Sequence, residues 1–307
     1  MLRQMLIRLS QEPRLRDMTV HNGMMRSMAR RFVAGETLPE AIDVVRQLNR
    51  RGMTATLDHL GENVSTEAEA AAAADDYCRM LEAIADAGVD SNVSLKLTHM
   101  GLDLGEDVAY GNTLRIVQAA SPNFVRIDME SSEYVDRTLR IFHRLFQDHT
   151  NVGVVIQSAL YRSEADVEGL IEVGARVRLV KGAYLEPPSV AYQDKADVDA
   201  AYVRLMGALL LRGNFPAIAT HDPRMIDATR EYSLGHGIDP SRYEFQMLYG
   251  IRRDLQARLV GQGYKMRIYV PYGTEWYPYL MRRMAERPAN LMFVVGNIAR
   301  ESMPGRR

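Results

Sequence analysis

One cysteine, Cys78, stands in 307 residues, which excludes an internal disulfide and fits a reducing cytosol. No apolar run approaches the roughly 20 residues that cross a bilayer, and no signal-peptide pattern opens the chain, so the expected location is cytoplasmic. Charge of one sign is also missing: the net charge is −1, which leaves no electrostatic footprint for nucleic acid. No G-x-G-x-x-G or G-x-x-x-x-G-K-[ST] follows a strand-like run, so a dinucleotide or P-loop fold lacks its fingerprint. No G-x-S-x-G is present for a serine nucleophile, and Cys78 falls mid-helix. No His and carboxylate cluster has ligand spacing, so no metal is expected. Low-complexity linkers and internal repeats are absent as well, and nothing argues for a second globular domain.

What is present is 47% apolar content, enough to bury one large core. Residues 1–33 carry seven arginines against Glu12 and Asp17. Such an arm suits either a helical flap on the main domain or a contact with anionic lipid. Beyond residue 50 the hydrophobic period switches repeatedly between 2 and 3.6. Strand-like runs are read at Met53–His59, Val93–Thr98, Phe124–Met129, Val152–Ala159, Arg176–Gly182, Ala217–His221, Tyr243–Leu248 and Lys265–Pro271. Helical patterns follow them. Thr66 and Glu69 have capping-box spacing before an alanine-rich helix stopping at Gly88; Ser163 and Asp166 have the related spacing; Asp222-Pro223 reads as a cap followed by proline. The expected fold is an α/β protein, a (β/α)8 TIM-like barrel over residues 51–307, with residues 1–50 as an added helical segment.

Catalytic groups of such barrels come from the strand C-termini and the loops after them. Strand alternation sends the leucines of Ser94-Leu95-Lys96-Leu97 outward, so Lys96 points in. The same rule turns in Asp128, Gln157, Arg178, His221 and Tyr269. Each alone could satisfy a buried network, and His221-Asp222 could be no more than a histidine and a helix cap. Six convergent polar groups from six strands are better explained by a site, because buried charge without a partner is expensive. Tyr279, Arg282, Arg283 and Glu286 recur at i, i+3, i+4 and i+7, on one arc of a helix. Read blandly, this is a solvated face with an Arg282–Glu286 pair. Two guanidiniums on one turn also suit a carboxylate ligand. Lys96, Arg178, Lys181, Arg282 and Arg283 outnumber Asp128 and Glu286, which favours an anionic ligand. Two chemistries remain open on these grounds: a Schiff base on Lys96 or Lys181, or redox work by a bound anionic cofactor.

Leu95-Lys96-Leu97-Thr98, Arg126-Ile127-Asp128-Met129-Glu130, Arg178 through Tyr184, Ala219-Thr220-His221-Asp222, Phe245 through Gly250 and Tyr269 through Glu286 closely resemble the proline dehydrogenase family. The resemblance implies a (βα)8 barrel carrying non-covalent FAD. It also implies oxidation of L-proline to Δ1-pyrroline-5-carboxylate, with electrons passed to a membrane quinone. Because the chain stops at Arg307, the single-function form is expected, with a separate pyrroline-5-carboxylate dehydrogenase as a transient partner and a peripheral contact at the inner membrane face. Carried over by motif, Lys96, Arg282 and Arg283 would hold the proline carboxylate, and Glu286 would steady the arginine pair. Tyr184, Leu248, Tyr269 and Tyr279 would wall in the ring. Asp128 would orient Tyr269, Arg178 would reach flavin N5, and Gln157 and Met129 would lie along the isoalloxazine. Lys181, Gly182, Ala183, Thr220 and His221 would hold the FAD phosphates and nearby backbone. The rivals are a Schiff-base aldolase, a non-catalytic amino-acid-binding barrel and another flavin barrel such as a folate reductase.

Overall fold

The computed structural model of the chain describes residues 29–61, 64–277 and 279–280. Eight parallel strands close on themselves in sequence order, each hydrogen-bonded to the next and the last to the first. They are β1 (Thr54–His59), β2 (Ser91–Leu95), β3 (Val125–Ile127), β4 (Val152–Gln157), β5 (Arg176–Val180), β6 (Ala217–Ala219), β7 (Glu244–Leu248) and β8 (Met266–Tyr272). The expected barrel is the fold observed.

The helices follow the strands. Helix α1 (Leu38–Asn49) precedes β1; α2 (Glu67–Ala87), α3 (Glu106–Ala120), α4 (Val135–Phe146), α5 (Ser163–Glu172), α6 (Lys195–Arg212), α7 (Pro223–Gly235) and α8 (Arg253–Gly261) follow β1 to β7 in turn. Their outer ring buries the strands' outward residues, among them Ala55, Leu57, Val93, Leu95, Val125 and Ile127, all at 0% exposure. That burial is what makes a parallel sheet stable, since both of its faces must be covered. The buried stripe of α1 (Ala41, Ile42, Val45 and Leu48) belongs to the same core and packs on β1 and β8, the seam where the ring closes.

The local signals act largely as their chemistry dictates. Thr66 Oγ1 accepts from the Glu69 N–H, and α2 ends at Gly88 in the left-handed conformation (φ 59°). Asp222 caps α7 through the Arg224 N–H, with Pro223 in the first turn. The Ser163–Asp166 spacing is corrected. Ser163 is the first residue of α5, and its hydroxyl donates to the Gln157 carbonyl. Asp166 instead binds the Arg162 guanidinium at 2.8 Å.

Candidate active site

The strand alternation that builds the core also fills the barrel interior with polar groups in layers. In the lower layer Arg267 of β8 binds Glu244 of β7 at 2.9 and 3.1 Å and donates to the Ala55 carbonyl of β1 at 2.6 Å. One inward step higher on β8, Tyr269 donates to Asp128 Oδ2 at 2.7 Å. Asp128 Oδ1 accepts from Arg178 Nη1 at 2.8 Å and from Ser94 Oγ at 2.7 Å, and Arg178 Nη1 also reaches Ser94 Oγ at 3.2 Å. The Arg178 guanidinium carbon lies 5.3 Å from the Tyr269 ring centre. Four strand segments thus converge on one half-buried carboxylate. Arg178 has a further property: its Nε and Nη2 are buried and, among the described residues, have no hydrogen-bond partner. Unpaired guanidinium nitrogens at 4% residue exposure carry a desolvation cost that an acceptor on a ligand would remove.

Burial, then the neighbouring Asp128 and Asp58 carboxylates, push the Tyr269 hydroxyl well above its ordinary range, so it stays a donor at any working pH. Asp58 is raised by burial first, then held down by Lys96 and raised again by Asp128. Lys96 Nζ lies 3.4 Å from Asp58 Oδ2, and Asp58 also receives the Tyr77 hydroxyl at 3.3 Å. Asp58 was missed in reading the sequence, although Ala55 and Leu57 facing outward on β1 turn Thr56 and Asp58 inward by the rule that found Asp128.

The remaining expected residues that the structure describes sit on the same C-terminal side of the barrel. Gln157, ending β4, donates to the Glu130 carbonyl at 2.8 Å, next to the buried Met129. Gly182 has φ +112°, and a Cβ there would come 3.0 Å from Gln157 Oε1. Lys181 pairs with Asp199 of α6 at 2.5 Å and with Asp222 at 2.8 Å. Burial pulls the Asp222 carboxyl up, but its bonds from Lys181 and the Arg224 N–H outweigh this and hold it at about 2. Thr220 Oγ1 accepts the Asp222 N–H, and His221 Nε2 accepts the Leu248 N–H at 2.9 Å. Tyr279 is buried at 6%, whereas Tyr184, beside Ala183 in the loop after β5, is 42% exposed. That loop is fastened to the β4–α5 connection by Tyr192 N–H to Ala159 O, Tyr161 N–H to Val190 O and an edge-on Tyr161–Tyr192 contact of 4.7 Å. Arg282, Arg283 and Glu286 lie outside the described residues. The cation excess read from the sequence is smaller in space, because Asp58, Asp199 and Asp222 face Lys96 and Lys181.

A family model described as proline dehydrogenase matches residues 41–295. The chain belongs to the proline dehydrogenase family. It is 43% identical to Proline dehydrogenase 1 of Bacillus subtilis (strain 168) over 304 residues, covering 98% of this chain and 100% of that one. It is 46% identical to the Proline dehydrogenase of Deinococcus radiodurans over 278 residues, 88% of this chain and 90% of that one. Among solved structures, proline utilization A (PutA) from Bdellovibrio bacteriovorus inactivated by N-propargylglycine is similar at a TM-score of 0.81 and 29% identity. That match covers 90% of this chain and 34% of the other, so the chain spans about a third of that longer protein.

Among the described residues no helix is long and apolar enough to cross a membrane, and no group of three or more His, Cys, Asp and Glu is placed to hold a metal. For a proline dehydrogenase the donor set fits a flavin on two observations of this barrel. Among the described residues Arg178 holds two buried donors without an acceptor, and Gly182 leaves backbone bare where a Cβ would press to 3.0 Å from Gln157 Oε1.

Proposed function

We propose that this protein oxidises L-proline to Δ1-pyrroline-5-carboxylate with non-covalent FAD, and that electrons leave to a quinone. The observation that carries the reading is Arg178, a buried cation held by Asp128 with two donors that no described residue satisfies. When bound, FAD supplies the acceptor for the hydrogen and two electrons that leave proline C5 as the ring nitrogen's lone pair forms the C=N bond.

The chain's own residues do the rest. Arg178 would donate toward flavin N5, where negative charge develops, and Asp128 keeps that guanidinium in place. Tyr269, fixed by the same carboxylate, would close one side of the proline ring together with Tyr184, Leu248 and Tyr279. Lys96, Arg282 and Arg283 would bind the proline carboxylate, with Glu286 between the arginines. Gln157 and Met129 would line the isoalloxazine; Lys181, Gly182, Ala183, Thr220 and His221 would meet the rest of FAD. The substrate's ammonium must lose a proton before the C–H bond can break, and transfer to water gives an activity that rises with pH. A contact with the inner membrane face would bring the quinone to the barrel, and a separate pyrroline-5-carboxylate dehydrogenase would take the product.

Lys96 and Lys181 both lie in ion pairs with carboxylates, whereas an amine nucleophile must be neutral, which disfavours the Schiff-base aldolase. The deciding experiment is optical. Purified protein should show a flavin spectrum that bleaches on anaerobic addition of L-proline and releases all its flavin on acid precipitation. Protein that is reconstituted with FAD yet stays oxidised in excess L-proline refutes the reading.

A further inference from the structure

Ser94 lies in β2 at 0% exposure, between the two partners of the Asp128–Arg178 pair. Its hydroxyl oxygen takes Arg178 Nη1 at 3.2 Å and its proton goes to Asp128 Oδ1 at 2.7 Å. With the direct Arg178–Asp128 bond of 2.8 Å this closes a three-membered ring of hydrogen bonds, fed by strands β2 and β5 and by the residue after β3. Among the described residues the Ser94 hydroxyl has one other acceptor within reach, the Arg126 carbonyl at 3.3 Å, a longer and weaker bond. Ser94 touches neither the barrel mouth nor the Tyr269 ring by any of these bonds, so its influence passes through the arginine.

Two consequences follow from the ring, and they have the same sign. The Ser94 proton takes up part of the Asp128 carboxylate's charge, so less of it is spent neutralising the guanidinium. The Ser94 oxygen also gives Nη1 a second fixed partner, so the plane of the guanidinium, and with it the direction of the unpartnered Nε and Nη2, is set by two anchors in place of one. We propose that Ser94 is a positioning residue for the flavin reaction: it aims the free edge of Arg178 at the flavin and keeps its charge available to the electrons that arrive there. The proposal rests on the reading that Arg178 faces flavin N5.

The test is a set of variants in the FAD-loaded enzyme. Ser94→Ala should lower the flavin's two-electron midpoint potential, because the reduced form loses stabilisation. A three- to tenfold change in the redox equilibrium is about 14–30 mV for a two-electron couple. The limiting rate of flavin reduction by L-proline should fall by a comparable factor of about three to ten, while the proline concentration giving half that rate stays within about twofold. Ser94→Cys, close in volume but with a weak donor and a poor acceptor, should shift the potential in the same direction and guards against a variant that fails for lack of volume. Arg178→Lys is the control: it should shift the potential further, and Ser94→Ala added to it should contribute little more.

If Arg178→Lys leaves the potential where it was, the flavin reading of Arg178 is wrong. If Arg178→Lys shifts the potential while the two Ser94 variants fold, bind FAD and keep the parent potential, the role of Ser94 is refuted and that of Arg178 stands. A fall in melting temperature with no change in potential likewise reduces Ser94 to a packing residue.

Discussion

Among the described residues the barrel holds two arginine–carboxylate pairs at different depths, each with one member buried and one half-buried, and neutralising each separates stability from chemistry. Arg178–Asp128 lies toward the mouth, with side chains 5% and 15% exposed; Arg267–Glu244 lies one inward step lower, at 14% and 6%. Asp128→Asn and Glu244→Gln keep shape and remove one charge. Each strands a buried or half-buried guanidinium, a loss of about 3–5 kcal/mol. At about 2 °C per kcal/mol for a domain of this size, both variants should melt roughly 6–10 °C below the parent. Their chemistry should differ. Asp128→Asn leaves one neutral acceptor for Arg178 and the Tyr269 hydroxyl, which bond the two carboxylate oxygens at 2.8 and 2.7 Å, so at least one of them loses its anchor. Losing an aimed donor at developing charge lowers a rate by about 10²–10³. Because Arg178 itself remains, a fall of at least about tenfold is expected. Glu244→Gln should leave the rate within about twofold once FAD is saturating. Stopped-flow flavin reduction at a temperature well below both melts reads this directly. Equal rate losses in the two variants, at equal flavin content, would show that the rate follows general loosening of the barrel and would refute the assigned depth.

Three further outcomes are expected. Burial, with His59 and Lys96 nearby, lowers His99 to about 4, so the folded state keeps it neutral while the unfolded chain takes up a proton below pH 6.5. Its contribution is present above 6.5 and lost as pH falls toward 4, on the order of 3 kcal/mol, and a His99→Gln variant should flatten denaturant-measured stability across that window; an unchanged slope means His99 is not the group responsible. Gly182→Ala meets φ +112° and the Gln157 side chain together, so flavin affinity should fall with strain of about 1–3 kcal/mol; fluorescence titration with FAD checks it, and parent-like affinity would remove Gly182 from the cofactor site. A Tyr269 wall should favour L-proline over trans-4-hydroxy-L-proline by about 10–200-fold in kcat/KM, and equal efficiency would refute the wall.

The sequence made the strands legible because outward apolar residues alternate with inward polar ones, and it misjudged their ends where side chains replace ladder partners. The sixth strand was read to His221 but stops at Ala219, because His221 Nε2 itself takes the Leu248 N–H. The third was read from Phe124 to Met129 and spans Val125–Ile127, although the Asp128 N–H still reaches the Leu95 carbonyl. Asp58 and Ser94 obeyed the same alternation and were legible in principle. Asp199 was not. It sits in α6 among Lys195, Asp197 and Arg204, a pattern any solvated helix shows, and the approach of Lys181, just past β5, and of Arg224 from α7 makes it a buried partner. Pairing across elements also explains why the count of cations overstated the positive field.

The seam between β1 and β8 sets when the site can exist. It is registered over six residue pairs, from Thr54 with Arg267 to His59 with Tyr272, and Arg267 reaches across 212 positions of chain to the Ala55 carbonyl. Tyr269 spans 141 positions to Asp128. A chain leaving the ribosome therefore carries Arg178, Asp128 and Ser94 long before Tyr269 arrives to complete them, and contacts at such separation make ring closure a late, entropically costly step. Any motion that unzips the first strand from the last frees one edge of the strand that carries Tyr269. A ligand lodged against both would then act as a clasp on the ring, so that hydrogen exchange along β1 and β8 reports occupancy of the mouth.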